Sequence, residues 1–240
     1  MPKKYWYVIL TYVLMQLSSY VVAGILRLFT IDDATFFTVA ISWNIISFVG
    51  ALIIILYLLR QDMKKTPLRD SSTVSGIIGW SILGVFLAIA AQIVSTLIET
   101  FVLGIEPGSE NTQNIMNIAR AAPIFIVIVS IIAPILEEII FRKIIFGTIY
   151  ERTNFILAAL SSALIFAFVH NDITHLLTYT AMGFVFAFLY VQTKRIIVPI
   201  LAHMAMNTMV VIAQLSVDPE DVDKMVEDLN QLQVIIGGYF

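Results

Sequence analysis

The sequence predicts an all-α protein, a polytopic transmembrane helix bundle of about seven or eight spans. Three observations predict it. Of 240 residues, 59% are hydrophobic and only 13% charged, with a mean hydropathy of +0.92, outside the range of soluble globular chains. The apolar residues fall in runs close to the roughly 20 residues that a spanning helix needs. The basic residues gather in alternate connections between those runs, as they do at cytoplasmic helix ends.

The first run, Tyr5 to Phe29, follows Lys3 and Lys4. It is longer than the h-region of a cleaved signal, about 7–15 residues, so it reads as a retained signal-anchor helix with Tyr5, Trp6 and Tyr7 as interface anchors. Next come Phe36 to Leu59, Val74 to Leu103, Ala121 to Tyr150, Phe155 to Val169, Ile173 to Val191 and Ile196 to Leu215. The fifth run is short, which suits a thinned bilayer or burial inside the bundle. The third and fourth are long enough to tilt, break or hide an additional short helix. Pro134 predicts a kink, because it removes a backbone donor and crowds the preceding turn. The stretch from Gln61 to Ser75, with Pro67 and a Ser-Ser-Thr run, reads as a hinge or linker.

Lys3, Lys4, Arg60, Lys64, Lys65, Arg69, Arg142, Lys143, Arg152, Lys194 and Arg195 all fall on one side of this arrangement. Asp32, Asp33, Glu106, Glu110, Asp172 and the acidic stretch from Asp218 to Asp228 fall on the other. The expected setting is therefore the cell membrane, with the amino terminus cytoplasmic and the carboxy terminus outside. Residues 1–215 form the expected bundle and 216–240 an amphipathic tail. In the tail, Asp218 can cap, Pro219 suits the first helical position, and Val222, Met225, Val226, Leu229 and Leu232 recur at helical spacing. Its acidic face favours docking on protein over adhesion to anionic lipid.

A net charge of -3 with no basic surface run excludes nucleic acid as a partner. The absence of cysteine excludes disulfides, thiolate ligands and cysteine nucleophiles. Any metal must bind through His, carboxylate, amide or water.

Chemistry is suggested by ionisable residues inside the apolar runs, where each costs roughly 2.5–3.5 kcal/mol on insertion scales. Glu137, Glu138 and Arg142 interrupt the fourth run, His170 ends the fifth, and His203 with Asn207 lies in the seventh. Glu138 precedes Arg142 by four residues, the favoured order for an ion pair along one helical face. Glu137 points about 100° away on a regular helix, free to take a proton or bind a metal. The bland alternative is a structural salt bridge with Glu137 in a polar core network. His203 and Asn207 share a face, as do Phe166 and His170; singly, each histidine fits an interhelical hydrogen bond as well as a site. At 1.5 Å per residue, Glu137 and His170 sit at comparable depth, whereas His203 and Asn207 lie only about 10 and 17 Å from Ile196. The seventh helix must start deep, tilt, or meet a kinked partner. Asn171 and Asp172 are placed to orient the His170 ring, and His175 reads as a loop or cap residue. Phe184, Phe186, Phe188 and Tyr190 read as lipid-facing or packing residues.

Three segments then carry a resemblance. Glu137-Glu138-Ile-Ile-Phe-Arg142 resembles EExxxR, Phe166-Ala-Phe-Val-His170 resembles FxxxH, and His203-Met-Ala-Met-Asn207 resembles HxxxN. In that order on spanning helices they are similar to the motif set of the CPBP (ABI) family of intramembrane proteases. That family groups CAAX prenyl endoproteases with bacteriocin-processing and self-immunity proteins, and its core would cover about residues 120–215. The resemblance implies that Glu137 activates water with His170 assisting. It implies further that His203 and Asn207 hold the oxyanion or a metal, and that Glu138 and Arg142 brace the site. Glu137, His170 and His203 would be the ligands of Zn2+ or another divalent cation, and a metal-free glutamate mechanism is equally compatible at this stage.

Such hydrolysis needs a carboxylate whose pKa is raised by an apolar setting, a role that Glu137 fits. The expected activity is endoproteolysis of a membrane-inserted, prenylated or precursor peptide within the lipid bilayer. The alternatives are a non-proteolytic binding or immunity protein of the same fold and a proton-coupled transporter. The last finds no paired half-helices or inverted repeat.

Overall fold

In the computed structural model, which describes residues 1–64, 71–106 and 108–216, the regular elements are all helices. Helix α1 is Lys3–Leu26 and α2 is Asp33–Met63, where the Asp32 side chain accepts from the Thr35 N–H. Helix α3 is Val74–Phe101, capped by Thr73, and α4 is Glu110–Ala121, capped by Ser109. A rod over 125–150, here α5, follows. It alternates α-helical turns at Phe125–Val127, Ala133–Glu137 and Gly147–Tyr150 with π-helical turns at Ile128–Ile132 and Glu138–Phe146. Helix α6 is Phe155–Val169, capped by Asn154. A 3-10 turn, Ile173–His175, leads into α7, Leu176–Thr193, and α8 is Ile197–Ser216. These caps satisfy amide donors that a helix start leaves without partners.

Among the described residues, five helices are long and apolar enough to cross a membrane: α1, α2, α3, the Ile173–Thr193 unit and α8. With the shorter α6 and the α5 rod, they correspond to the seven apolar runs. One feature departs from expectation: helix α4 occupies a stretch read as connection. Pro134, where an irregularity was expected, lies between widened turns. The expected amphipathic tail beyond Ser216 and the middle of the expected hinge, residues 65–70, lie outside the described residues.

Solubility logic is inverted in α3. Its buried residues are Ser81, Gly84, Ala88, Ser95, Glu99 and Thr100, while Ile78, Ile82, Phe86, Ile93 and Leu97 are exposed. Lipid is as apolar as leucine, so helices associate through small residues and polar contacts. Helix α7 packs against α3 and α6, and α8 packs against α3. Two glycines permit the close approach. A Cβ on Gly183 would lie 2.6 Å from that of Ala163 in α6, and one on Gly84 would lie 2.6 Å from a Leu189 methyl. Helices α1 and α2 pair through bonds to Ser18 from Trp43 and to Ser19 from Asn44, with a Lys4–Asp62 ion pair of 2.7 Å at one end. Tyr12 of this pair meets Phe141 of α5 edge to face.

The turn between α7 and α8 is tied to the segment before α3. Lys194 adopts a left-handed conformation, φ 53°, which ends α7. Ser72 donates its N–H to the Thr193 carbonyl (3.0 Å) and accepts on its own carbonyl from Arg195 Nε (3.2 Å). Val198, Pro199 and Ile200 are buried at once, so α8 is enclosed by its neighbours from its first turn.

Candidate active site

Glu138 and Arg142 form the expected i,i+4 ion pair, Nε to Oε2 3.1 Å, with both side chains fully buried. Arg142 is therefore a core residue and drops out of the cytoplasmic loop charges. Its guanidinium lies 4.9 Å from the centroid of Phe166 and 5.5 Å from that of Phe186. These faces supply cation–π attraction, about 2 kcal/mol when desolvated. Among the described residues its two terminal nitrogens have no hydrogen-bond partner.

The other Glu138 oxygen accepts from His203 Nδ1 at 2.9 Å. That bond puts the proton on Nδ1 and leaves Nε2 turned toward Glu137 Oε2, 3.8 Å away. A regular α-helix would splay the two carboxylates about 100° apart. A single imidazole nevertheless meets both, because its two nitrogens face different carboxylates. Glu137 is the reachable member of the pair, its side chain 14% exposed against 0% for Glu138. The His203 ring stacks on Phe186 at 4.7 Å and 17°. Phe186 thus belongs to the packing class expected for it, with a specific target.

His170 caps the end of α6, and Asn171, at φ 51°, turns the chain out of the helix. The ring bonds through Nδ1 to the Phe166 carbonyl at 2.8 Å. A carbonyl only accepts, so Nδ1 carries the proton and Nε2 keeps its lone pair. The expectation for the neighbours is corrected: Asp172 accepts from Ser109 Oγ (2.6 Å), and the 4.5 Å ring neighbour of His170 is Tyr179. Asn207 donates through Nδ2 to the Val129 carbonyl at 3.1 Å.

Two cavities flank these groups. One, about 340 Å³, lies among α3, α4, α7 and α8, with Met182, His203, Met206 and Val210 in its wall. The other, about 350 Å³, is lined by Gln16, Asn114, Glu137 and Asn171. Val129, His170 and Asn207 border both, and α4 roofs both through Asn111 and Ile115. Glu137, His170, His203 and Asn207 therefore surround one junction. As metal ligands the first three do not make a set: among the described residues, no three His, Asp or Glu side chains are grouped to hold an ion.

His175 is the N-cap of α7, in keeping with the cap position expected for it. It is also a buried residue whose Nδ1 meets Glu99 Oε2 at 3.0 Å and whose Nε2 meets the Gly108 carbonyl at 2.9 Å. Both partners accept, so both nitrogens donate. Glu99 also takes the N–H and hydroxyl of Thr178. This network ties α3 and α7 to the segment before α4. Sequence reading passed over Glu99, although a lone carboxylate inside the apolar run Val74 to Leu103 was a signal of the kind used for Glu137.

Fold and site together define a polytopic helical membrane protein with a buried carboxylate–imidazole centre. Residues 119–209 match the family model of the type II CAAX prenyl endopeptidase Rce1-like proteins. Over its full length the chain is 47% identical to all of YdiL from Bacillus subtilis (strain 168), which is named as a candidate membrane peptidase. It is 41% identical to the membrane-embedded CAAX protease MroQ of Staphylococcus aureus (strain USA300), over 74% of each chain. The UPF0177 protein YxdF of Lactococcus lactis subsp. lactis (strain IL1403) is 36% identical over 33% of this chain and 44% of its own. No solved structure matches significantly. The chain belongs to the Rce1-like CAAX endopeptidase family, a family of membrane peptidases.

Proposed function

We propose that this protein is an intramembrane endopeptidase that hydrolyses a peptide bond in a membrane-inserted or lipid-modified peptide. One observation carries the reading: Glu137 Oε2 and Nε2 of His203 face each other at 3.8 Å where the two cavities meet. That gap is too long for a direct hydrogen bond, and an oxygen atom set to one side of it lies within hydrogen-bond reach of both groups. Water enters from the polar cavity of Gln16, Asn114 and Asn171, and the peptide lies in the more apolar cavity of Met182, Met206 and Val210. Glu137 takes one proton from water, aided by the Nε2 lone pair of His170, as the oxygen attacks the scissile carbonyl. The oxyanion forms beside the Asn207 amide, while His203 Nε2 accepts from the hydroxyl that the attacking water leaves on the carbon. Glu138 and Arg142 hold His203 in register. Collapse of the intermediate breaks the C–N bond, and Glu137 returns its proton to the leaving amine. No step is routed through a metal, because the donor set offers two adjacent ligands rather than three.

The test uses purified protein in lipid bilayers with two probes, a farnesylated CAAX-type peptide and an unmodified transmembrane peptide. Wild type is expected to cleave at least one, and Glu137→Ala neither, with unchanged folding by circular dichroism. Cleavage that survives Glu137→Ala removes the proposed base. Metal analysis of the active protein is expected to find no stoichiometric divalent ion, and a bound ion required for turnover refutes the metal-free route. The non-proteolytic binding reading predicts no turnover of either peptide and tolerance of both Glu137→Ala and His203→Ala. An orientation assay on the amino terminus is expected to find it cytoplasmic.

A further inference from the structure

The widened turns of α5 end at a position with a chemical cause. Ala133 donates its N–H to the Ile128 carbonyl, five residues back. In that register the next acceptor is the Val129 carbonyl and the next donor is residue 134. Residue 134 is proline and has no N–H. Val129 lies within the bundle beside the two cavities, where an unpaired carbonyl costs about 1–3 kcal/mol. Across the gap, Asn207 Nδ2 donates to that oxygen at 3.1 Å.

We propose that Asn207 is a positioning residue: it supplies from α8 the donor that Pro134 withholds, and so fixes the turn that carries Glu137. The inference rests on the endopeptidase reading for its consequence, but its physical content is independent of turnover. Glu137 is three residues beyond Pro134, less than one turn, so the path of the backbone there sets where its carboxylate points. His203 is one turn before Asn207 on the same face and holds Glu138. Helix α8 therefore grips α5 twice, once on each side of Glu137, by a side-chain bond to the backbone and by one to the neighbouring carboxylate. An amide has two N–H groups. With one spent on Val129, the other remains for the junction, and the oxyanion role above needs no more.

Two variants and their combination test this. In Asn207→Ala, hydrogen exchange at Ala133, Ile135 and Leu136 is expected to speed up at least tenfold, and kcat for the cleaved probe peptide to fall with KM nearly unchanged. Pro134→Ala restores an N–H to the chain, so the double variant is expected to recover slow exchange and part of the lost kcat. Unchanged exchange in Asn207→Ala, or no recovery of exchange in the double variant, overturns the proposal. Exchange is read on protein alone, so a wild type that cleaves neither probe defeats the endopeptidase reading while this test still decides the role of Asn207. If slow exchange returns without any kcat, Asn207 acts on the intermediate alone and the positioning claim fails.

Discussion

Replacing Arg142 with leucine tests whether the ion pair beneath the site is structural, catalytic or both. The Glu138 carboxylate is fully buried and has two charged or polar contacts, Arg142 at 3.1 Å and His203 Nδ1 at 2.9 Å. Arg142→Leu leaves the carboxylate with one donor and no countercharge, and removes the guanidinium from the Phe166 and Phe186 faces. Breaking a buried pair from one side costs about 3–5 kcal/mol. The same loss is expected from Glu138→Leu, which strands the guanidinium instead. The double replacement removes both charges, and a packed apolar pair is close to neutral against a buried ion pair. The two single costs should therefore not add: with the double replacement near neutral, the coupling is as large as the two single costs together, about 6–10 kcal/mol. The assay is reversible unfolding in mixed micelles, followed by circular dichroism as denaturing detergent is added. Peptide cleavage is a second readout with a different outcome. The double variant regains stability, yet His203 has lost the acceptor on Nδ1 that turns Nε2 toward Glu137, so turnover stays at the level of the single variants. Additive single costs, or a loss below about 1 kcal/mol for Arg142→Leu, would refute the reasoning.

Gly183→Ala is expected to destabilise the bundle by about 1–3 kcal/mol, because the new methyl meets the Cβ and backbone of Ala163. Gly84→Ala should cost less, since its nearest obstruction is the mobile end of Leu189, and the same unfolding assay compares them. His175→Ala strips Glu99 of its ring donor and frees the Gly108 carbonyl, so a loss of about 1–3 kcal/mol and faster hydrogen exchange at the start of α4 are expected. At Asp32, bonds from the Thr35 hydroxyl and N–H hold the carboxyl below its ordinary pKa. Its capping contribution is therefore complete above the unfolded value of about 3.9 and is lost as pH falls through the lower folded value. Amide exchange at Thr35 should report that loss in wild type and be indifferent to the same pH change in Asp32→Ala.

The bundle was legible because hydropathy acts through composition alone: Tyr5 to Phe29 and Lys3–Leu26 differ only at their fraying ends. Helix α4 was not, because Asn111, Thr112, Gln113 and Asn114 read as a polar connection. What makes it a helix is the Ser109 cap and the burial of Met116 and Ala119 against the bundle. The bridge that His175 makes was hidden for a related reason. Its partners, Glu99 and Gly108, lie 76 and 67 residues away, and nothing local distinguishes a cap from a bridge.

The π-helical turns were hidden more deeply, since no residue type encodes them. Pro134 marked the place of an irregularity but not its form. The widened turn presents the Val129 carbonyl to Asn207 on a neighbouring helix. Two consecutive glutamates reach one imidazole through its two nitrogens, with Glu138 held at 2.9 Å and Glu137 at 3.8 Å. The motif thus holds a fixed carboxylate and a reachable one. The spacing in the sequence names the groups, while the placement of His203 on a neighbouring helix decides that they share a task.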